Sequence, residues 1–337
     1  MALRRYAFRP DVRLSVRGGR AVVRHFDAEY GARATEGAGG DAELEVEFGP
    51  PAAGSAAGPV VTGGHKSVRW RVAVSDPGEL PLRATVELGG RPLSFALSLV
   101  QGYFVEPLLS LAAAARGYVL VPAAAFVGDD GAVLLMGRSG SGKSSLSARA
   151  LAAGQSVLGD DQVLLDRGGG LYAYPRRMRF YSDLSRTAPT AYRGLPPSAR
   201  AGLVGRGIVR AMSRGYVAPP IRLPARELGP PPPVEAVRLT RVAIVERGGG
   251  SREIRGGEVE RAEAAGLALE LLDEQRAHLL RFGGAPWPGA LEHARSAEEE
   301  VLGSAFAGVP IERLCVPAAW DSRAAIDGLA ARLGVRG

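Results

Sequence analysis

The octapeptide Gly137-Arg138-Ser139-Gly140-Ser141-Gly142-Lys143-Ser144 constrains this chain more tightly than any other stretch. Five apolar residues in a row, Ala132 to Met136, precede it, and a helix-compatible run follows from Lys143 to about Ala153, ending at Gly154. An apolar run of that kind reads as a buried strand, and the glycine as a helix stop. The segment must therefore fold as strand, tight glycine loop and helix, which is the context that a G-x-x-x-x-G-K-[ST] match requires. Such a loop turns its backbone N–H groups inward, where the helix N-terminus adds positive potential for phosphate oxygens. Lysine occurs only at Lys66 and Lys143 among 42 basic residues. At Lys143 a compact ammonium reaches between phosphates where a planar guanidinium is too broad. The expectation is a nucleoside triphosphate held by Gly137, Arg138, Ser139, Gly140, Ser141, Gly142, Lys143, Ser144 and Ser145, with Ser144 offering its hydroxyl to Mg²⁺.

A second element follows. The short apolar run Ser156-Val157-Leu158 ends at Gly159-Asp160-Asp161, and Val163-Leu164-Leu165 continues extended. Ligands of open α/β sheets gather outside the carboxyl ends of strands, so Asp160 and Asp161 are expected beside the phosphates. Two adjacent carboxylates there can divide the work, one on the metal and one accepting the proton of an incoming hydroxyl. A solvated turn would also place Asp at a strand end. Glu246, closing Val242-Ala243-Ile244-Val245, is a competing acid of the kind that binds metal in many ATPases.

Bulk properties narrow the rest. The chain has 337 residues, 46% of them apolar, enough for one large or two smaller cores. One cysteine, Cys315, precludes an internal disulfide framework, and the N-terminus lacks an apolar signal region; both point to the cytoplasm. The longest apolar stretch, Leu108 to Val127, is interrupted by Arg116, Gly117 and Pro122, so no membrane span is expected. The net charge of +7 reads as the arginine-rich composition of a GC-rich coding sequence more than as nucleic-acid binding. One local excess stands out: eleven arginines against the single acid Asp183 between Arg176 and Arg226. Arg176, Arg177 and Arg179, nearest the Asp-Asp strand, are the first candidates to close over phosphates or dock an acidic substrate.

Residues 1–104 alternate apolar and polar at Val12–Val16, Glu43–Phe48, Val68–Val74 and Ala84–Leu88, with Gly-Gly pairs between, and read as a smaller β-rich domain. Gly49 to Gly64 reads as a loop. Residues 105–337 alternate helix and strand patterns: Pro107–Arg116, Tyr118–Val127, Leu239–Val245, Glu258–Arg281, Ala297–Phe306, Ile311–Val316 and Ser322–Leu333. That order predicts an α/β domain with a central, mostly parallel sheet.

The run Val121 to Leu165 resembles the C-terminal catalytic domain of bacterial HPr kinase/phosphorylase and its relatives. The likeness lies in Gly137, Ser139-Gly140, Gly142-Lys143-Ser144, Gly154 and Asp160-Asp161. It implies a P-loop kinase fold, an oligomer, and ATP- and Mg²⁺-dependent phosphorylation of a protein or peptide serine. Lys143, Asp160 and Asp161 would be catalytic, with Ser144, Asp160 and Asp161 on the metal. The chain departs from that family where Pro122-Ala123-Ala124 stands for its histidine and Ser145 for its glutamate, so HPr itself is not implied as substrate. Two rival readings of the same loop are a small-metabolite kinase and a nucleotide-gated ATPase that controls a partner.

Overall fold

Where apolar and polar residues alternate in the first ninety positions, strands form and bury every second side chain. The computed structural model describes residues 1–35, 41–50, 58–214, 216, 219–248, 252–283 and 286–335. Its contacts divide the chain into two compact units, Met1–Leu120 with Leu269–Leu302, and Val121–Ala268 with Gly303–Gly337. The expected boundary after residue 104 falls inside one continuous helical run, Leu93–Ala114. The architecture is mixed α/β, and both large sheets combine parallel with antiparallel pairs.

In the first unit β1 (Ala2–Arg9), β2 (Val12–Gly18), β3 (Leu44–Phe48), β4 (Val60–His65), β5 (Val68–Val74) and β6 (Leu82–Gly89) form one sheet in the order β1-β2-β3-β6-β5-β4. The Gly49–Gly64 loop expectation is corrected at its end, since Val60–His65 is a strand paired with β5; residues 51–57 lie outside the described residues. This region is also less purely β than the alternation suggested. Val22, Phe26 and Tyr30 bury one face of helix α1 (Arg20–Tyr30) at helical spacing. A second helical run joins α2 (Leu93–Val100) through a π-turn, Gln101–Val105, to α3 (Glu106–Ala114). By length and composition this run could cross a membrane, yet 72% of its most apolar window is buried inside the protein. It carries a buried polar cluster. Gln101 hydrogen-bonds His25 (2.7 Å), Tyr30 (2.9 Å) and Glu106 (2.8 Å), and the Tyr30 hydroxyl donates to Glu106 (2.9 Å). In the same unit Arg276 grips Glu298 through both guanidinium ends and Ser110 through Nε (2.9 Å).

The second unit is built on β8 (Ala124–Val127), β9 (Ala132–Met136), β10 (Val157–Gly159), β11 (Val163–Asp166), β12 (Gly170–Tyr172) and β15 (Val237–Arg247), with β7 (Tyr118–Val121) leading in. The expected single strand Tyr118–Val127 is thus two, separated at Pro122, which cannot donate to a ladder. The order is β10-β8-β9-β15-β12-β11. β9 and β15 are parallel, as are β15 and β17 (Ile311–Val316), but β8 is antiparallel to both β9 and β10. The expected mostly parallel sheet is therefore mixed. The cause is local: the turn at Gly128–Gly131, closed by a 2.7 Å hydrogen bond, is too short for a parallel crossover. Because β10 runs antiparallel to β8, it points the same way as β9. The carboxyl ends of β9, β10, β15 and β17 consequently share one edge.

Helix α4 (Lys143–Ala152) covers this sheet, burying Leu146, Ala148, Ala150 and Leu151. It stops as Gly154 was expected to stop it. Gly154 takes φ +82, with Gly154 N–H on Leu151 O (3.0 Å) and Gln155 N–H on Ala150 O (2.8 Å), the paired bonds of a Schellman end. Beyond the sheet come a ribbon of β13 (Met178–Phe180) and β14 (Ile221–Leu223), and between its strands the helices α5 (Leu184–Thr187), α6 (Pro189–Gly194) and α7 (Pro197–Met212). The sequence marked this stretch only as arginine-rich. β16 (Arg255–Glu258) pairs with β17, so the expected helix Glu258–Arg281 starts later, as α8 (Arg261–Arg276). The expected Ala297–Phe306 helix begins earlier, as α9 (Pro286–Ala305), and α10 (Ser322–Leu333) ends the fold. Asp321 caps α10 by accepting the Ala324 N–H at 2.8 Å.

Candidate functional site

All five residues of β9 are buried, which fixes the strand deep in the sheet and delivers Gly137 to its edge. The loop from Gly137 to Gly142 is glycine-dependent at three points. Gly140 and Gly142 take φ +86 and +99, a region that L side chains rarely adopt. A Cβ on Gly142 would also stand 2.5 Å from Ile326 Cδ1 of α10. At Gly137 a Cβ would press to 2.6 Å from Val245 O, because β15 runs directly beside β9. No side chain caps the start of α4, so its first amides keep their hydrogen-bonding capacity for an anion. The Ser141 hydroxyl is buried and has no partner.

The Lys143 ammonium folds back on the loop, donating to Gly137 O and, at 3.3 Å, to Arg138 O. Its pKa is lowered by burial, an effect opposed by the charges of Asp161 and Asp160. The two carboxylates predicted from sequence therefore do lie within electrostatic reach of the loop lysine. The shared strand edge is the cause: Gly159 ends β10 just as Gly137 follows β9.

The aspartates differ in setting. Asp160 is 5% exposed and accepts a hydrogen bond from the Ser144 side chain. Burial, then the neighbouring Asp161 charge, pushes its pKa up to about 7, while Arg176 and Ser144 pull the other way. Asp161 is 41% exposed and pairs with Arg176 at 3.1 Å; the arginine itself is 8% exposed. Of the three arginines singled out, Arg176 thus meets the pair. Arg177 and Arg179 are half-buried, with Arg179 opposite Arg222 in the β13–β14 ribbon.

Sequence reasoning missed Tyr181, which follows β13. Its phenol is pushed up first by burial and next by Asp161, with Arg222 opposing, so it lies within electrostatic reach of the aspartates. Nothing in the local pattern announces that role, since the ribbon that carries Tyr181 forms through pairing with residues forty positions later. Ser145 was expected among the phosphate-binding residues. Its hydroxyl points to Thr187 at 3.1 Å, and Arg149 Nε holds Thr187 O at 2.6 Å, tying α4 to α5. Glu246, the competing acid, sits at the end of β15 and pairs with Arg313 at 3.3 Å.

Ser144, Asp160 and Asp161 make a donor set of one hydroxyl and two carboxylates. Among the described residues no group of three His, Cys, Asp or Glu side chains gathers to hold a metal. A hard cation of the Mg²⁺ type does not need one, because it takes one or two protein oxygens and completes its shell with phosphates and water. The Ser144–Asp160 hydrogen bond brings together two such oxygens, and a buried carboxyl opposed by a second one is a place where a divalent charge relieves repulsion. These residues fit that ion. No protein-family model matches the chain, and no curated protein matches it.

Proposed function

We propose that this protein is an ATP-dependent kinase of the HPr-kinase-like P-loop type, which transfers the γ-phosphoryl group to a serine or threonine hydroxyl of a protein or peptide. The observation that carries the reading is the asymmetric aspartate pair beside the loop lysine: one carboxyl is buried on Ser144, the other half-open and aimed by Arg176. A site built only to hold a nucleotide has no need of the second.

Lys143 leaves the loop carbonyls for the nonbridging phosphate oxygens, and the amides at the start of α4 hold the remaining charge. Ser144 and Asp160 would hold Mg²⁺, which when bound would supply positive charge against the developing negative charge of the phosphates. Asp161, reachable from solvent, accepts the proton of the incoming hydroxyl as its oxygen bonds to phosphorus and the bond to the ADP oxygen breaks. Arg176 keeps the Asp161 carboxylate oriented, and Tyr181 lines the acceptor side.

The direct test incubates the purified chain with γ-labelled ATP and an extract of the source organism, beside Lys143→Ala. A labelled protein band that disappears in the variant supports the kinase. Release of free phosphate alone would sink it in favour of a gated ATPase. The division between the aspartates has its own readout: Asp160→Asn raises the Mg²⁺ requirement, whereas Asp161→Asn lowers kcat at unchanged Mg²⁺ dependence.

A further inference from the structure

The β13–β14 ribbon sets two like charges face to face. Met178 and Phe180 of β13 and Ile221 of β14 are buried in the core, and Leu223 packs against it. Strand alternation therefore turns the residues between them outward. Those residues are Arg179 and Arg222, and the register pairs them directly, between Met178 opposite Leu223 and Phe180 opposite Ile221. Residues so opposed hold their Cβ atoms about 5 Å apart on one face, where like charges repel. Both arginines are half-buried, so water screens the pair only in part. Among the described residues Arg179 forms no ion pair.

The ribbon is tied to the aspartates at both ends of β13. Arg176, three residues before Arg179, holds Asp161 at 3.1 Å. Tyr181, two residues after Arg179, is 41% exposed and lies within electrostatic reach of Asp161 and Arg222. The charges that act on Lys143 are those of the two aspartates alone. The arginine pair thus stands farther from the loop lysine than the aspartates do, beside the carboxylate assigned to the incoming hydroxyl.

Resting on the kinase reading above, we infer that Arg179 and Arg222 form an anion site on the acceptor side, which takes a carboxylate or phosphate group flanking the hydroxyl that receives the phosphoryl group. A guanidinium presents its N–H donors as a planar fork that matches both kinds of oxygen group. An anion between the two forks replaces their mutual repulsion by attraction to a shared charge. A peptide with neutral residues around its serine leaves the repulsion in place, so the site selects acceptors by the charge beside the hydroxyl.

The test labels the guanidinium groups of the full chain with hydroxyphenylglyoxal and reads Arg179 and Arg222 by peptide mass spectrometry. Three synthetic peptides of equal length are compared, each with a central serine flanked by glutamates, glutamines or phosphoserines, beside a nonhydrolysable ATP analogue with Mg²⁺. The glutamate or the phosphoserine peptide should slow labelling of both arginines at least about fivefold relative to the glutamine peptide. Which of the two protects more strongly tells a carboxylate source from a phosphate source. Arg179→Glu gives Arg222 a partner across the ribbon. This variant should unfold at no lower temperature than wild type and lose the protection at Arg222. Equal labelling with all three peptides overturns the inference. So does protection by the nucleotide alone, which would make the pair a nucleotide contact. Protection that survives Arg179→Glu, or a clear fall in that variant's unfolding temperature, overturns it as well. The two readings also fail separately. A protecting peptide that never receives phosphate leaves the anion site standing and the kinase fallen; phosphorylation indifferent to Arg179→Glu does the reverse.

Discussion

Each unit of this protein buries a carboxyl almost completely, and the two are compensated in opposite ways. Glu298 in the first unit is 0% exposed; burial pushes its pKa up, and Arg276 pulls it back through a two-ended grip. Asp160 in the second unit is 5% exposed, leans on a neutral hydroxyl, and faces a second carboxylate one residue away. A buried charge with its full complement of partners is a structural member, since nothing remains for a ligand to supply. A buried carboxyl left half-compensated stores a demand for positive charge. The contrast marks Glu298 as part of the scaffold and Asp160 as the carboxyl on which the proposed chemistry draws.

Four substitutions can break or sharpen that contrast. Lys143→Ala should cost at least about a thousandfold in phosphoryl transfer, because it removes the point charge at the developing negative oxygens. Thermal unfolding of the same variant should stay near wild type, as the lysine bonds only loop carbonyls. An undiminished rate would mean that the loop is not the phosphate site. Arg276→Met should leave the proposed phosphoryl transfer of folded molecules intact but destabilise the fold by roughly 3–5 kcal/mol in urea titration, through an uncompensated Glu298. Adding Glu298→Leu should restore much of that loss. If the single variant is harmless, the first unit's ion pair is not the structural member described.

Asp160→Asn should act in the opposite sense. The folded pKa of about 7 lies above the ordinary 3.8, so the folded state favours the proton. Wild-type stability therefore declines as pH rises from about 4 to about 7 and is flat above that window. The amide escapes this, and the variant should be more stable than wild type by roughly 1–3 kcal/mol at pH 8, with no gain near pH 4. Its activity should fall at every pH and recover only in part as Mg²⁺ is raised. In wild type the acid limb of activity should move to lower pH as Mg²⁺ is raised, since a bound cation favours the ionised carboxyl. A limb that ignores Mg²⁺ would detach Asp160 from the metal. The smallest effect belongs to Ser145→Ala, which removes the half-buried hydrogen bond to Thr187 and should cost about 1 kcal/mol in stability with little change in turnover. A large kinetic loss would return Ser145 to the phosphate site.

Much of this site was legible in the chain, for a reason visible in the residues. Ala132–Met136, Gly137–Ser144 and the helix to Gly154 are contiguous, and each is specified by its own neighbours: apolar run, glycine loop, helix stop. The position of Asp160 and Asp161 was also readable, because strands running the same way deliver their ends to one edge. The antiparallel course of β8 and the break at Pro122 carried local signals, a short turn at Gly128–Gly131 and a proline, but the apolar run Tyr118–Val127 read as one strand masked them. The helices within the β-rich N-terminal region were missed although Val22, Phe26 and Tyr30 carried the period, since short alternating runs on either side dominated the reading.

Sequence alone determined the glycine loop between strand and helix, its lysine, the paired aspartates and the arginine excess, since these depend on residue types a few positions apart. Tertiary structure decided which arginine meets which aspartate, that Ser144 bonds Asp160, that Tyr181 comes within electrostatic reach of them, and that α7 exposes Val204, Ile208 and Met212 to solvent. Those relations depend on pairing across long stretches of chain, where the energy of burial selects among partners that no local spacing can distinguish.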